Sequence, residues 1–318
     1  MQRKSHAFVV LPIPYRALAA AELGRANRRW LAAARLRELP AGEPLLAVLS
    51  ALGVPGPDAG VGALRLWGET GDRPDGWVAC ADPVYLEARL NHVILHPLQP
   101  QEVSAAEVRE VFEHLQRELG GDGASVFCAV GTSGYLQRSG PMLTAEVSPF
   151  VAGGDTPAAW MPSGEQAEEH DRLQSEVQMS LYQCGLNQRR AGSGLRPLNA
   201  LWLWGGGAAP QPSSIALPPL YADDPLFRGF WKMAAADISG WPASADAVAG
   251  ATEFVAVMPP VAQHAAAIDE HLTLPRRMLE QGKLRSMTLL FSDGTRADLS
   301  RWDKLRFWRR NRAASRSK

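Results

Sequence analysis

Four bulky residues, Leu201-Trp-Leu-Trp204, run without a break into Gly205-Gly-Gly207, and that junction constrains the fold more than any other stretch of the chain. The apolar run has the length of a buried strand, and a strand's two-residue period puts Trp202 and Trp204 on one face. Glycine carries no Cβ, so the triplet presents unencumbered backbone N–H groups at a strand's carboxyl end. That end is where α/β folds bind ligands, and successive N–H groups there form an anion nest. Followed by Ala208-Ala-Pro210, the triplet also reads as a flexible loop. A nucleotide-phosphate loop is excluded because no Gly-Lys-Ser/Thr follows, and no second glycine pattern completes a dinucleotide fingerprint.

Just upstream stand Asn187, Arg189, Arg190 and Arg196, residue types suited to phosphate or carboxylate oxygens. The arginines can also serve the carboxyl end of the helix before them, where positive charge is favoured. Together with Asn199 and Gly205, Gly206 and Gly207 they form the candidate site, for a small phosphorylated or carboxylated ligand.

The rest of the chain alternates between structural types. Ala7-Phe-Val-Val-Leu11 predicts a buried strand closed by prolines. Tyr15 to Leu39 predicts one helix or a broken pair, and Glu43 to Leu52 a short helix stopped by Gly53 and Pro55. Gly56 to Gly76 reads as a loop-rich crossover whose one strand candidate is Ala63-Leu-Arg-Leu-Trp67. A strand over Gly76 to Ala81, ending at Asp82-Pro83, and another over Asn91 to His96 precede Ser104-Ala-Ala-Glu107, which has capping-box spacing. The helix it opens has Val108, Val111, Phe112 and Leu115 on one face, and Ala124 to Val130 follows as a strand. This stretch predicts a helix on a mostly antiparallel sheet. From Ser163 a long periodic helix has a buried stripe at Leu173, Val177 and Leu181, with Met179 and Tyr182. Thr252 to Met258 and Ser286 to Phe291 are strands, the second leading through Ser292-Asp-Gly-Thr295 to Arg296-Ala-Asp-Leu299, and Gln263 to Gln281 is helical, nicked at Pro275. The order α/β, α+β, α/β predicts one domain inserted in another.

With 46% apolar and 21% charged residues, the chain has the composition of a globular protein. The formal charge is zero, so no global field attracts nucleic acid or membrane, and neither partner is expected. Charge is uneven, however: from Arg301 to Lys318 basic residues are opposed by Asp303 alone. That tail is either a solvated end or a dock for an acidic partner. Cys80, Cys128 and Cys184 are far apart and have no C-x-x-C spacing, so neither disulfide framework nor zinc site is indicated and a cytoplasmic location is expected. Ala7 to Leu11 is too short for a secretory core, and no run approaches a membrane span. The ten tryptophans read as core and interdomain packing rather than stacking platforms.

Asn187-x-x-Arg190, a short glycine-containing spacer, Pro197-x-Asn199 and a strand ending in Gly205-x-Gly207 resemble the archaeal-type cofactor-independent phosphoglycerate mutases. Ala81-Asp-Pro-Val84, Arg196-Pro-x-Asn199-x-Leu-Trp-x-Trp-Gly-Gly-Gly207 and Trp302-x-x-x-x-Phe307-Trp308-Arg-Arg310 are similar to a bacterial offshoot of that group, the RpfE-type regulatory proteins. The resemblance implies an alkaline-phosphatase-like α/β domain over residues 1–76 and 187–318, with a smaller α+β substrate-type domain inserted over 77–186. It also implies a two-metal centre, held by an Asp after the first strand, a Ser nucleophile and later Asp/His pairs. Here the first strand ends in Leu11-Pro-Ile-Pro14, and the seven histidines form no Asp-His-Gly or His-x-Asp signature. His92 with His96, and His264 with Asp269 and His271, are the local pairings open to metal. The expectation is a catalytically degenerate, regulatory or small-anion-binding protein without a cofactor. An active mutase or phosphatase with displaced ligands would need a divalent metal such as Mn or Mg. A third reading is a structural protein that docks through the basic tail.

Overall fold

In the computed structural model, residues 5–20, 23–40, 42–99, 101–121, 123–154, 156–242, 248, 252–260 and 265–302 are described. The basic tail after Trp302, and His264, lie outside them. Along the chain the elements begin with β1 (His6–Leu11), α1 (Tyr15–Ala20), α2 (Arg25–Ala32), β2 (Arg35–Glu38), α3 (Pro44–Leu52) and α4 (Val61–Thr70). Next come β3 (Trp77–Ala88), β4 (Val93–Pro97), α5 (Ala105–Leu119), β5 (Ser125–Val130), β6 (Ser133–Arg138) and α6 (Pro149–Ala152). Then follow α7 (Glu168–Gln183), α8 (Gly185–Gly192), β7 (Ala200–Ala208), β8 (Leu220–Tyr221), α9 (Pro225–Met233) and β9 (Ile238–Ser239). The chain closes with β10 (Glu253–Val257), α10 (Ala265–Glu280), β11 (Ser286–Phe291) and β12 (Thr295–Ser300).

These elements form two compact units. The first comprises Met1–Val54, Ser214–Asp224 and Ala234–Lys318, the second Pro55–Ser213 and Pro225–Met233. The expected boundaries at 76/77 and 186/187 both fall inside the second unit. The reason is pairing and packing: α4 lies against β3 and β7, and β7 pairs with β3 along Trp77–Val84.

The first unit is built on a seven-stranded sheet of order β2-β12-β11-β1-β10-β8-β9. β1 lies between β10 and β11, parallel to both, and β8 and β9 continue the parallel part. β12 and β2 add an antiparallel edge. Ala7, Val9 and Leu11 of β1 join Met287, Leu289, Phe254 and Ala256 in a core completed by Leu31 and Leu272 from α2 and α10. The β11–β12 hairpin forms where the Asp-Gly turn demands it, with Gly294 at φ 75°. Arg35 to Glu38 belongs to the exposed edge strand β2, not to a helix: the charged Arg35, Arg37 and Glu38 suit a sheet edge. α10 passes through Pro275 without a break.

The second unit has a five-stranded, mostly antiparallel sheet in which β3 is the common member, pairing with β4, β6 and β7. β3 does not stop at Asp82-Pro83 but runs on to Ala88. Pro83 is tolerated because β3 changes neighbours there, from β6 at Cys80 to β4 at Val84, so no ladder bond on that side needs its missing N–H. The capping box is formed: Ser104 Oγ accepts from Glu107 N, and Glu107 Oε2 accepts from Ser104 N. Leu173, Val177 and Leu181 of α7 face the core with Val108, Val111, Phe112 and Leu115 of α5. Met179 and Tyr182 are exposed instead of lying on the stripe, since their positions fall on the helix's opposite side.

α4 overturns the reading of 56–76 as a loop with one strand. Gly62 to Gly68 are all buried, so the helix has no polar face to give it a 3.6-residue rhythm. Its glycines are contact points, not breaks. A Cβ on Gly68 would lie 1.8 Å from Pro225 O, one on Gly229 of α9 1.8 Å from Leu64 O, and one on Gly62 2.6 Å from Cys80 N. Two helices thus meet backbone to backbone at the glycine pair. α9 itself occupies a stretch in which the sequence reading placed no element. No helix among the described residues is long and apolar enough to cross a membrane.

Candidate functional site

The segment from Asn187 to Gly207 links α8 to β7. Each of its two asparagines closes both backbone hydrogen bonds of a single residue. Asn187 Oδ1 accepts from Leu198 N at 2.8 Å, and its Nδ2 donates to Leu198 O at 2.9 Å and Leu181 O at 2.8 Å. Asn199 Oδ1 accepts from Leu86 N at 2.8 Å, and its Nδ2 donates to Leu86 O at 2.9 Å. Because β3 and β7 pair only as far as Val84 and Ala200, the Asn199 amide acts as one further rung of that ladder. These amides do what backbone groups do in a sheet, so buried polar atoms are satisfied where the strand has ended.

Arg190 is 2% exposed. Its guanidinium donates to Arg196 O at 2.7 Å, Glu102 O at 2.9 Å and Glu107 Oε1 at 2.6 Å. Glu107 therefore caps α5 with one oxygen and holds α8 with the other. Burial works to raise the Glu107 pKa, but hydrogen bonds from Ser104 and Arg190 outweigh it and hold the carboxyl below its ordinary value. Arg189 and Arg196 remain half exposed: Arg189 pairs with Glu110 at 2.6 Å, and Arg196 lies 3.9 Å from Glu102, over the Tyr85 ring.

The glycine triplet belongs to β7 and not to a loop. Gly205 N donates to Ala145 O at 2.9 Å and Gly206 N to Thr144 Oγ1 at 2.9 Å, while Gly207 pairs with Val78. Close approach explains the composition. A Cβ on Gly206 would lie 2.3 Å from the Trp77 ring, and one on Gly207 2.4 Å from Gly60 N. The described structure thus gathers Asn187, Arg189, Arg190, Arg196 and Asn199 at the junction of α8, α5 and β3, with Gly205, Gly206 and Gly207 further along β7.

A second cluster escaped sequence reasoning. Arg65 of α4 donates to both carboxylate oxygens of Asp82 at 2.8 and 2.9 Å, to Tyr135 Oη at 3.1 Å and to Gly134 O at 2.9 Å. Trp204 Nε1 donates to the same Asp82 at 2.8 Å, and the guanidinium stacks near the Tyr135 and Trp204 rings. Burial disfavours the Arg65 charge, but the Asp82 carboxylate outweighs it and keeps Arg65 firmly protonated. Burial also raises the Glu69 carboxyl, against the opposing hydrogen bond from Ser133 Oγ at 2.6 Å, and pushes the Tyr135 phenol up. With all three Arg65 guanidinium nitrogens engaged and the group largely buried, this cluster is built for rigidity and not for turnover. The signal available in the sequence was indirect: Ala81-Asp-Pro and Leu-Trp-x-Trp are motifs on two strands that pair, with Asp82 opposite Trp202 and Trp204 opposite Cys80, so Asp82 and Trp204 are diagonal cross-strand neighbours.

The described histidines take separate partners. His6 faces Ser286, His96 pairs with Glu87, His114 meets Ser180, His170 meets Asp171, and His271 packs on Trp241. His92 falls outside the strand that holds His96. Among the described residues no group of three or more His, Cys, Asp or Glu could share a metal ion. At the carboxyl edge of the parallel sheet β1 runs into Leu11-Pro-Ile-Pro14, and Asp293, after β11, is turned to the amino end of α1, where it accepts from Arg16 N. These donors do not fit a two-metal centre.

No family model matches the chain. Over 124 residues it is 30% identical to a probable 2,3-bisphosphoglycerate-independent phosphoglycerate mutase of Geobacter sulfurreducens, a stretch covering 39% of this chain and 31% of that protein. The match thus spans about a third of the relative's length. Among solved structures, the PH0037 protein from Pyrococcus horikoshii aligns over 94% of this chain and 88% of that one, at TM-score 0.50 and 13% identity. A cofactor-independent phosphoglycerate mutase from Thermoplasma acidophilum aligns over 93% and 89% at TM-score 0.40 and 17% identity. The α/β class expected from the sequence is the class found, and part of the chain is similar in sequence to a phosphoglycerate mutase.

Proposed function

We propose that this chain is a catalytically degenerate relative of the cofactor-independent phosphoglycerate mutases that acts by binding, in a regulatory role. The observation that carries this reading is the end of β1. The strand lies inside the parallel sheet, where its carboxyl end would present a metal ligand, yet it closes on Leu11-Pro-Ile-Pro14. The dispersal of the described histidines supports the same reading. Any anion-binding role of the Asn187–Gly207 segment rests on Arg189 and Arg196, the two guanidinium groups there that keep solvent access; Asn187, Arg190 and Asn199 enter as the frame that holds them.

A coupled phosphoglycerate mutase assay and a generic phosphatase assay, each run with Mn or Mg and after chelation, test the proposal alongside metal analysis of the purified protein. No turnover above background and no stoichiometric metal are the expected results. Metal-dependent turnover that disappears on chelation would establish the rival reading, an active enzyme with displaced ligands.

A further inference from the structure

We propose that the free edge of β5 is a docking site for an extended peptide with alternating acidic and basic residues, added as a further strand alongside α5. Among the described residues β5 ends the sheet of the second unit and pairs only with β6. Phe127 N donates to Gln116 Oε1 at 2.7 Å, so the Phe127 N–H points away from β6. By the alternation of an antiparallel pair, Ser125 and Ala129 also turn their backbone groups outward. Between this edge and α5 lies an open groove of about 480 Å³, whose walls include Arg109, Glu113, Gln116, Arg117, Phe127 and Ala129.

Charge decides the occupant. Arg109, Glu113 and Arg117 follow one another at four-residue steps along the exposed side of α5, and none is engaged in an ion pair or hydrogen bond among the described residues. Four helical residues advance about 6 Å. Every second residue of a strand advances about 6.8 Å. A strand lying in the groove therefore brings residues i, i+2 and i+4 opposite the three charges in turn. The complementary sequence is acid-x-base-x-acid. Gln116 holds the place of the incoming chain: its amide oxygen stands where a carbonyl of the added strand would accept from Phe127 N. It also shields an edge that would otherwise invite unspecific pairing.

The test uses the full chain and the fluorescein-labelled peptide Glu-Val-Lys-Val-Glu, capped at both ends, with Lys-Val-Glu-Val-Lys as its charge-reversed control. Fluorescence anisotropy should show saturable binding of the first peptide and none of the second. The double variant Arg109→Glu/Arg117→Glu should weaken binding at least about tenfold. Ala129→Pro, which removes an outward N–H that a sheet edge can lack, should abolish it. Hydrogen exchange at the Ala129 amide should slow with the first peptide. Equal binding of both peptides, no saturable binding, or binding indifferent to the charge reversal overturns the proposal. Self-association of the chain that is lost in Ala129→Pro also overturns it, by assigning the edge to a second copy. Should Ala129→Pro fail to fold, the surface double variant decides the question. None of these outcomes bears on whether the chain turns over phosphoglycerate.

Discussion

The side-chain amide of Asn187 satisfies both the N–H and the C=O of Leu198, eleven residues away. An asparagine in this position is a local substitute for a neighbouring strand, and only an amide offers donor and acceptor at the required separation. We expect Asn187→Ala to orphan two buried backbone groups and lower stability by about 2–4 kcal/mol. Asn187→Asp should recover little, since a carboxylate accepts from Leu198 N but cannot donate to Leu198 O. Urea denaturation followed by tryptophan fluorescence measures both.

Arg190 donates in three directions from one planar group, to two carbonyls and a carboxylate. A lysine ammonium cannot reproduce that fork. Arg190→Lys is therefore expected to lose at least about 1.5 kcal/mol despite keeping the charge, and Arg190→Ala about 3 kcal/mol or more. A lysine variant as stable as the parent in the same denaturation experiment would contradict the geometry.

Gly68 and Gly229 admit no side chain. Gly68→Ala or Gly229→Ala forces a methyl onto a carbonyl oxygen and should cost at least about 3 kcal/mol, or prevent folding. Gly121→Ala, with nothing within 4 Å of its added carbon, is the matched control and should stay within about 0.5 kcal/mol of the parent. Thermal unfolding of the three variants side by side separates close packing from glycine's effect on chain entropy.

Two glutamates titrate with opposite consequences. Burial raises Glu69 above its ordinary 4.5, so the folded protein keeps a proton that the unfolded chain releases. Stability associated with Glu69 falls as pH rises from about 4.5 through the raised value, and Glu69→Gln should gain on the parent across that interval. Glu107 lies below 4.5 in the folded state. Its contribution is complete above about 4.5 and is lost as pH falls through the lower folded value, so Glu107→Gln should be at its greatest disadvantage near neutrality. Denaturation midpoints taken across a pH series give the two slopes.

What the sequence made legible was local. The capping box at Ser104 and Glu107, the Asp-Gly hairpin before β12 and the stripe of α7 each involve residues within a turn or two of one another. The residues of the Asn187–Gly207 segment stood out as a pattern, but their partners did not. Leu86 lies 113 positions from Asn199, and Glu102 88 positions from Arg190, so hydrogen-bonding side chains and ligand-seeking ones look alike in the sequence. α4 was hidden for a different reason. A helix buried all round has no periodic polar face, and its glycines read as punctuation until the opposing backbone is seen. Met179 and Tyr182 illustrate the reverse error, where large apolar residues sit on the solvent side of a helix otherwise well read.

The glycine contact between α4 and α9 also sets an order of events during synthesis. The chain leaves the second unit at Ser213, contributes Ser214–Asp224 to the first, and returns for Pro225–Met233 before leaving again. Residues 55–213 alone would lack the helix that closes over Gly68, leaving Leu64 and its neighbours uncovered. A growing polypeptide can therefore complete the second unit only after residue 233 has emerged from the ribosome. The first unit waits longer still, for the hairpin of β11 and β12.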